Sequence, residues 1–179
     1  MLRLTQMLDR PPTAEEAARA VRLRLTFDER VKSRLATMSV EGGAVAILLP
    51  RGTVMRNGAL LAGDDGELAI VEAAPQPVTR VTVESPLALL RAVYHLANRH
   101  VAAQLAEDHA LIERDPVLEA MLRGIGARVE HIEAPFDPEG GAYQEHHGGH
   151  AHGHREEIDE VSAMVGEQLS IAAHTRQTR

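Results

Sequence analysis

Apolar and polar residues alternate from Val21 to Phe27, with Val21, Leu23, Leu25 and Phe27 separated by Arg22, Arg24 and Thr26. A period of two is that of a strand with one buried face. Residues 44–49 form an unbroken apolar run of strand length, and residues 68–71 a shorter one. Turn signals punctuate them: Pro50-Arg51-Gly52, Asn57-Gly58 and the stretch from Gly63 to Gly66. No helical stripe of convincing length is present between residues 19 and 74. Residues 19–75 are therefore predicted to be a small all-β domain, preceded by an N-terminal extension over 1–18, with Pro75 and Pro77 at the join.

The rhythm then changes. Residues 78–83 read as a strand, after which Ser85-Pro86 supplies an N-cap and a proline at the first helical position. Leu89, Val93, Leu96, Ala97 and His100 recur at helical spacing, which predicts an apolar stripe ending in a histidine. Two short extended stretches follow at 103–105 and 110–112. Asp115-Pro116 opens a second helix with Val117, Leu118, Met121 and Leu122 on one side and Gly124 as its stop. Residues 128–134 return as a strand. The order β-α-β-β-α-β is that of a ferredoxin-like unit, two helices on one face of a four-stranded antiparallel sheet. The predicted fold class is thus α+β: an N-terminal all-β module, a ferredoxin-like domain over 76–138, and a tail over 139–179. That tail is expected to be mobile through residue 153, because it cannot pack a core, with a short helix over 158–171.

Composition removes several functions. The 26 acidic against 19 basic residues give a formal charge of -7, which disfavours general nucleic-acid binding because phosphate neutralisation needs a surplus of cations. There is no cysteine, so thiolate zinc sites, iron-sulfur clusters, disulfide frameworks and cysteine nucleophiles are excluded. The first residues lack the apolar stretch of a secretory signal, and residues 44–49, the longest apolar run, are too few to cross a bilayer. A cytoplasmic protein without membrane contact is the expectation.

The tail carries the clearest chemistry. His146, His147, His150, His152 and His154 place five histidines in nine residues, spaced by glycine and alanine. Imidazole nitrogen is a borderline donor suited to nickel, copper or zinc, and the glycines let several rings converge on one ion. An expression tag is the bland alternative, but tags are usually unbroken and terminal, whereas this tract is interrupted and ends 25 residues before the last residue.

Several separated blocks resemble the UreE family of urease accessory proteins. Tyr94-His95-Leu96-Ala97-Asn98-Arg99-His100 is similar to the family's Y-H-L-G-N-R-H signature. Residues 115–126, DPVLEAMLRGIG, resemble its D-H-V-L-x-x-M-L-x-x-L-G block, and residues 135–143, PFDPEGGAY, its P-F-x-P-E-x-G-A-Y segment before a histidine-rich tail. Leu48-Leu49-Pro50-Arg51-Gly52 and Gly63-Asp64 are similar to turns of the family's N-terminal domain, so the resemblance spans roughly residues 19 to 154. It implies a nickel metallochaperone of urease maturation, not an enzyme. It also implies a homodimer through the metal-binding domain, a partner-binding N-terminal domain, and hand-over to the urease GTPase UreG within the urease apoprotein assembly complex.

The resemblance further implies that His100 is the principal Ni2+ ligand, meeting its copy from a second chain, with the five tail histidines as collectors. Zn2+ or Cu2+ can bind the same donors. Without the resemblance, a histidine closing an apolar stripe reads as a packed or helix-capping residue. His95 projects off the stripe and reads as structural; Asn98 and Arg99 read as capping the helix end or contacting a partner chain.

One departure stands out. Where many family members carry H-D-H before the second helix, this chain has Arg114-Asp115-Pro116, so that auxiliary site is missing in its usual form. Asp115 reads as a helix cap. His109 and Glu113 are near enough in sequence to substitute, although exposed polar residues on short strands are the plainer account. Ala97 and Ala102 stand where the family usually has glycine and proline. His131 and His174 have no motif behind them. A histidine-rich storage or buffering protein is the rival reading; a metallohydrolase is disfavoured because no H-E-x-x-H or comparable constellation occurs.

Overall fold

A computed structural model describes residues 1–140, of which Met1–Glu139 form one compact unit. The histidine tract and the expected helix over 158–171 lie outside the described residues. Two modules are built within the unit.

The N-terminal module contains β1 (Leu2–Leu4), β2 (Gln6–Leu8), α1 (Ala14–Arg19), β3 (Val21–Leu25), α2 (Phe27–Arg30), β4 (Arg34–Met38), β5 (Ala44–Leu48), β6 (Leu60–Ala62) and β7 (Leu68–Ala73). They form two sheets, one ordered β1-β5-β4 and the other β2-β6-β7-β3. The alternation from Val21 does its expected work: Leu23 and Leu25 are buried, while Arg22 and Arg24 reach Glu72 on the neighbouring β7 at 3.0 and 3.3 Å. Leu4, Val45, Ile47, Met55, Leu61 and Val71 complete this core.

Two expectations need correction here. The segment before residue 19 is no extension, because β1 runs parallel to β5 and β2 pairs with β6, placing one strand in each sheet. The strand from Val21 stops at Leu25 instead of Phe27, because the Glu29 carboxylate accepts from the Thr26 N–H at 2.8 Å and starts the single turn of α2.

The C-terminal module comprises β8 (Pro75–Thr82), α3 (Pro86–Ala97), β9 (Ala103–Leu105), β10 (His109–Glu113), α4 (Pro116–Gly124) and β11 (Arg128–Pro135). Its sheet is ordered β11-β8-β10-β9 with every neighbour antiparallel, which is the ferredoxin-like arrangement. Both helices begin as their sequences direct. Ser85 accepts from Ala88 N at 3.3 Å, Asp115 accepts from Val117 N and Leu118 N at 2.8 and 3.0 Å, and a proline follows each cap. Ala92, Leu96 and Leu122 pack on Val81 and Ile112 of the sheet. Val117, expected on the apolar side of α4, is instead 77% exposed.

The other face of that sheet meets the N-terminal module. Phe27 and Phe136 stack edge to face with centroids 5.5 Å apart, over Val78 and Leu111. The fully buried Arg30 guanidinium donates to Asp137 at 2.6 Å, to Met55 O at 3.1 Å and to Phe136 O. Arg56 donates to Pro138 O, and Gln76 accepts from Phe27 N at 2.7 Å. No helix among the described residues is long and apolar enough to cross a membrane.

Candidate metal centre

The last turn of α3 positions His100. Leu96 anchors it in the core, and Asn98 forms the C-cap. His100 N then donates to Ala97 O at 2.9 Å and Val101 N to Leu96 O at 3.2 Å, the paired bonds of a Schellman ending, with Val101 packed into the same cluster as Leu96. That motif requires a left-handed residue before Val101, and His100 takes it with φ 54. Glycine usually holds this position, because a Cβ there crowds the backbone and costs about 1–2 kcal/mol. His100 is the non-glycine residue with positive φ among the described residues.

The placement of His100 differs from the expected stripe. Leu89 and Val93 are half-buried on α3, whose core side is formed by Ala92 and Leu96, and the helix ends at Ala97, so His100 lies on no helical face. It is exposed at the helix tip. The apolar side chains that α3 shows to solvent are Leu87, Leu90 and Tyr94, at 58%, 66% and 64% exposure. Their spacing of three and four residues puts them on one face.

The neighbours of His100 in the signature have structural duties. Arg99 folds back to donate to His95 O at 2.9 Å, covering a terminal carbonyl as expected of a capping cation. His95 is half-buried with its ring edge to face with Tyr94 at 5.7 Å.

The possible auxiliary donors resolve clearly. Asp115 spends one carboxylate oxygen capping α4, as its two backbone hydrogen bonds show. His109 pairs with Thr82 and Glu113 with Val78, so they lie at opposite ends of β10, about 13 Å apart at strand rise. Glu113 is the nearer to the signature: with Val101, Ala102, Arg114, Asp115 and Leu118 it lines an open hollow of about 320 Å³. His109 instead engages Asp108 at 2.6 Å, a hydrogen bond that holds the Asp108 carboxyl below its ordinary range. No group of three or more His, Asp or Glu converges to hold a metal among the described residues.

Sequence reasoning missed one polar cluster. The buried Glu119 carboxylate accepts from the Thr79 hydroxyl at 2.8 Å, engages His131 Nε2 at 2.8 Å and accepts from Arg123 at 3.2 Å. The Thr79 hydrogen bond is the main cause that lowers its pKa, with His131 and Arg123 adding to it against desolvation. A lone glutamate within a helix carries no pattern that distinguishes it from a solvated one. The Glu119 cluster fixes α4 to the sheet and brings no further donors to His100.

The architecture defines a class: a two-module α+β protein whose ferredoxin-like domain displays a histidine at a helix tip instead of enclosing it. Residues 4–74 match the model of the UreE urease accessory protein N-terminal domain, and residues 76–160 that of its C-terminal domain. The urease accessory protein UreE of Ralstonia nicotianae is 51% identical over 147 residues, covering 82% of this chain and 68% of that protein. The one from Burkholderia lata is 50% identical over 152 residues, covering 85% and 72%. The one from Cupriavidus necator is 44% identical over 156 residues, covering 86% and 80%. The chain belongs to the UreE family of urease accessory proteins, chaperones of urease maturation.

Proposed function

We propose that the chain is a nickel metallochaperone: it captures Ni(II), holds it without covalent chemistry and delivers it for assembly of the urease active site. The observation that carries this reading is His100, kept in a strained left-handed conformation that leaves its imidazole exposed at a helix tip. Backbone outliers of this kind concentrate where a side chain must be presented.

One imidazole cannot hold nickel alone. A second copy is the natural source of another, because the exposed stripe of Leu87, Leu90 and Tyr94 lies on the helix whose end carries His100. Docking two such stripes about a two-fold axis buries apolar surface and can bring the two His100 tips together. His146, His147, His150, His152 and His154 then raise the local metal concentration and complete open positions. Open coordination favours ligand exchange to the next carrier, here the GTPase UreG and the urease apoprotein complex. Copper outranks nickel at nitrogen sites, so cytoplasmic metal supply and the partner decide the cargo; Zn2+ or Cu2+ binds the same donors.

The test is native mass spectrometry of the full chain with the five tail histidines replaced by alanine, titrated with nickel at neutral pH. One nickel held per two chains, lost on His100→Ala, is expected. If the tail-substituted chain holds none, binding belongs to the tail, and a nickel or zinc storage and buffering role replaces delivery. A urease activation assay with His100→Ala separates the same two readings in function.

A further inference from the structure

Where α2 runs into β4, Val31, Lys32, Ser33 and Arg34 face Arg51 across an open hollow of about 450 Å³. The backbone beneath is tied down, with Leu49 N donating to Ser33 O at 2.7 Å and the Thr53 hydroxyl to Pro50 O at 2.8 Å. Among the described residues, Lys32, Arg34 and Arg51 form no ion pair. Arg10, Arg22, Arg24, Arg30 and Arg56 of the same module each engage a carboxylate. Three like charges around one hollow repel one another, and an anionic partner relieves that repulsion.

We propose that this hollow docks an acidic segment of another polypeptide, a short run of Glu or Asp carboxylates. A nucleotide is the poorer fit. Its base needs an aromatic or apolar slot, whereas Val31 is the sole apolar side chain lining the hollow, and the described aromatic residues Phe27, Tyr94 and Phe136 lie elsewhere. The formal charge of -7 strengthens the assignment. An acidic partner is repelled by most of this chain, so a local cluster of cations without ion pairs decides where and in which orientation it settles. The inference stands on this charge arrangement and does not rest on nickel delivery.

Fluorescence anisotropy of a labelled octaglutamate peptide with the metal-free full chain tests it. Saturable binding at low ionic strength is expected, weakening as salt rises and falling about tenfold or more in Arg34→Glu/Arg51→Glu. The neutral pair Arg34→Gln/Arg51→Gln is expected to give an intermediate loss, and its urea midpoint checks that folding is intact. No saturable binding, or binding unchanged in both variants, overturns the proposal. So does binding of inorganic phosphate or ATP at these residues where octaglutamate fails to bind, which would make the hollow a small-anion site.

Discussion

His100 and Gly126 occupy the same position of the same helix-ending motif, one closing α3 and the other α4, with φ 54 and 89 respectively. In both, a backbone N–H one residue on reaches a carbonyl five residues back: Val101 to Leu96 at 3.2 Å and Ala127 to Leu122 at 3.0 Å. Glycine fills the position without strain, and histidine fills it at a cost.

That comparison sets the first prediction. His100→Gly removes left-handed strain but gives the unfolded chain more freedom, for a net gain of about 0.5–1 kcal/mol in the metal-free protein. Nickel retention by the tail-substituted chain should disappear in the same variant. Urea denaturation with and without nickel checks both effects; a His100→Gly protein less stable than its parent would remove the strain argument.

The clasp between the modules gives the second. Arg30 is fully buried and holds Asp137 at 2.6 Å, so Arg30→Met leaves the carbonyls of Met55 and Phe136 without that donor and Asp137 with Asn57 N–H at 3.2 Å and Arg56 at 3.7 Å. Removing one partner of a buried ionic network costs about 3–5 kcal/mol, and Asp137, being partly exposed, puts this case at the lower end. The expected loss appears as a lower urea midpoint. Asp137→Asn, which keeps an acceptor, should cost less.

How much of this was legible depends on how local each signal is. Ser85 and Asp115 announced their helices because a cap acts over three residues, and the alternation from Val21 identified its buried face. β1 escaped because its partner β5 lies some forty positions on, and nothing within Leu2–Leu4 specifies parallel pairing. The signature singles out His100, but counting by 3.6 puts it on a helical face because it assumes that the helix continues; the Schellman bonds end it at Ala97. Gly124 is the last residue of α4, as the sequence pattern indicates, and the left-handed turn that closes the helix follows at Gly126. Arg30 and Glu119 carry no sequence pattern that separates them from surface charges, since only the fold buries them and brings them to their partners.

Acid sensitivity follows from Glu119. Its folded-state pKa is lowered, so its contribution is fully present above the ordinary glutamate range and is lost as pH falls through the folded value. Glu119→Gln removes that dependence while keeping the shape. As pH falls through and below the ordinary glutamate range, stability of the parent should therefore fall more steeply than that of the variant. At neutral pH the variant should be weaker by about 1–2 kcal/mol, the order expected for a buried charged hydrogen bond. Urea midpoints across the acid range measure both; parallel curves would show that Glu119 is not coupled to folding as its hydrogen bonds imply.

The exposed stripe on α3 supplies the last prediction. Leu90 is 66% exposed, so Leu90→Glu removes little from the fold of one chain, but it sets a charge in the middle of the Leu87, Leu90 and Tyr94 face. If two chains dock there, two carboxylates meet across the two-fold axis without counter-charges, and the dimer should dissociate. Sedimentation of Leu90→Glu is then expected to report a monomer with an unchanged urea midpoint. Its tail-substituted form should lose the shared nickel although His100 is intact, because one chain presents one imidazole. Leu96→Ala is the contrasting control: Leu96 faces the core, so truncation should cost about 2–5 kcal/mol of stability without introducing repulsion at the stripe. A Leu90→Glu protein that remains dimeric would move the interface off this helix and leave His100 to find its co-ligands elsewhere.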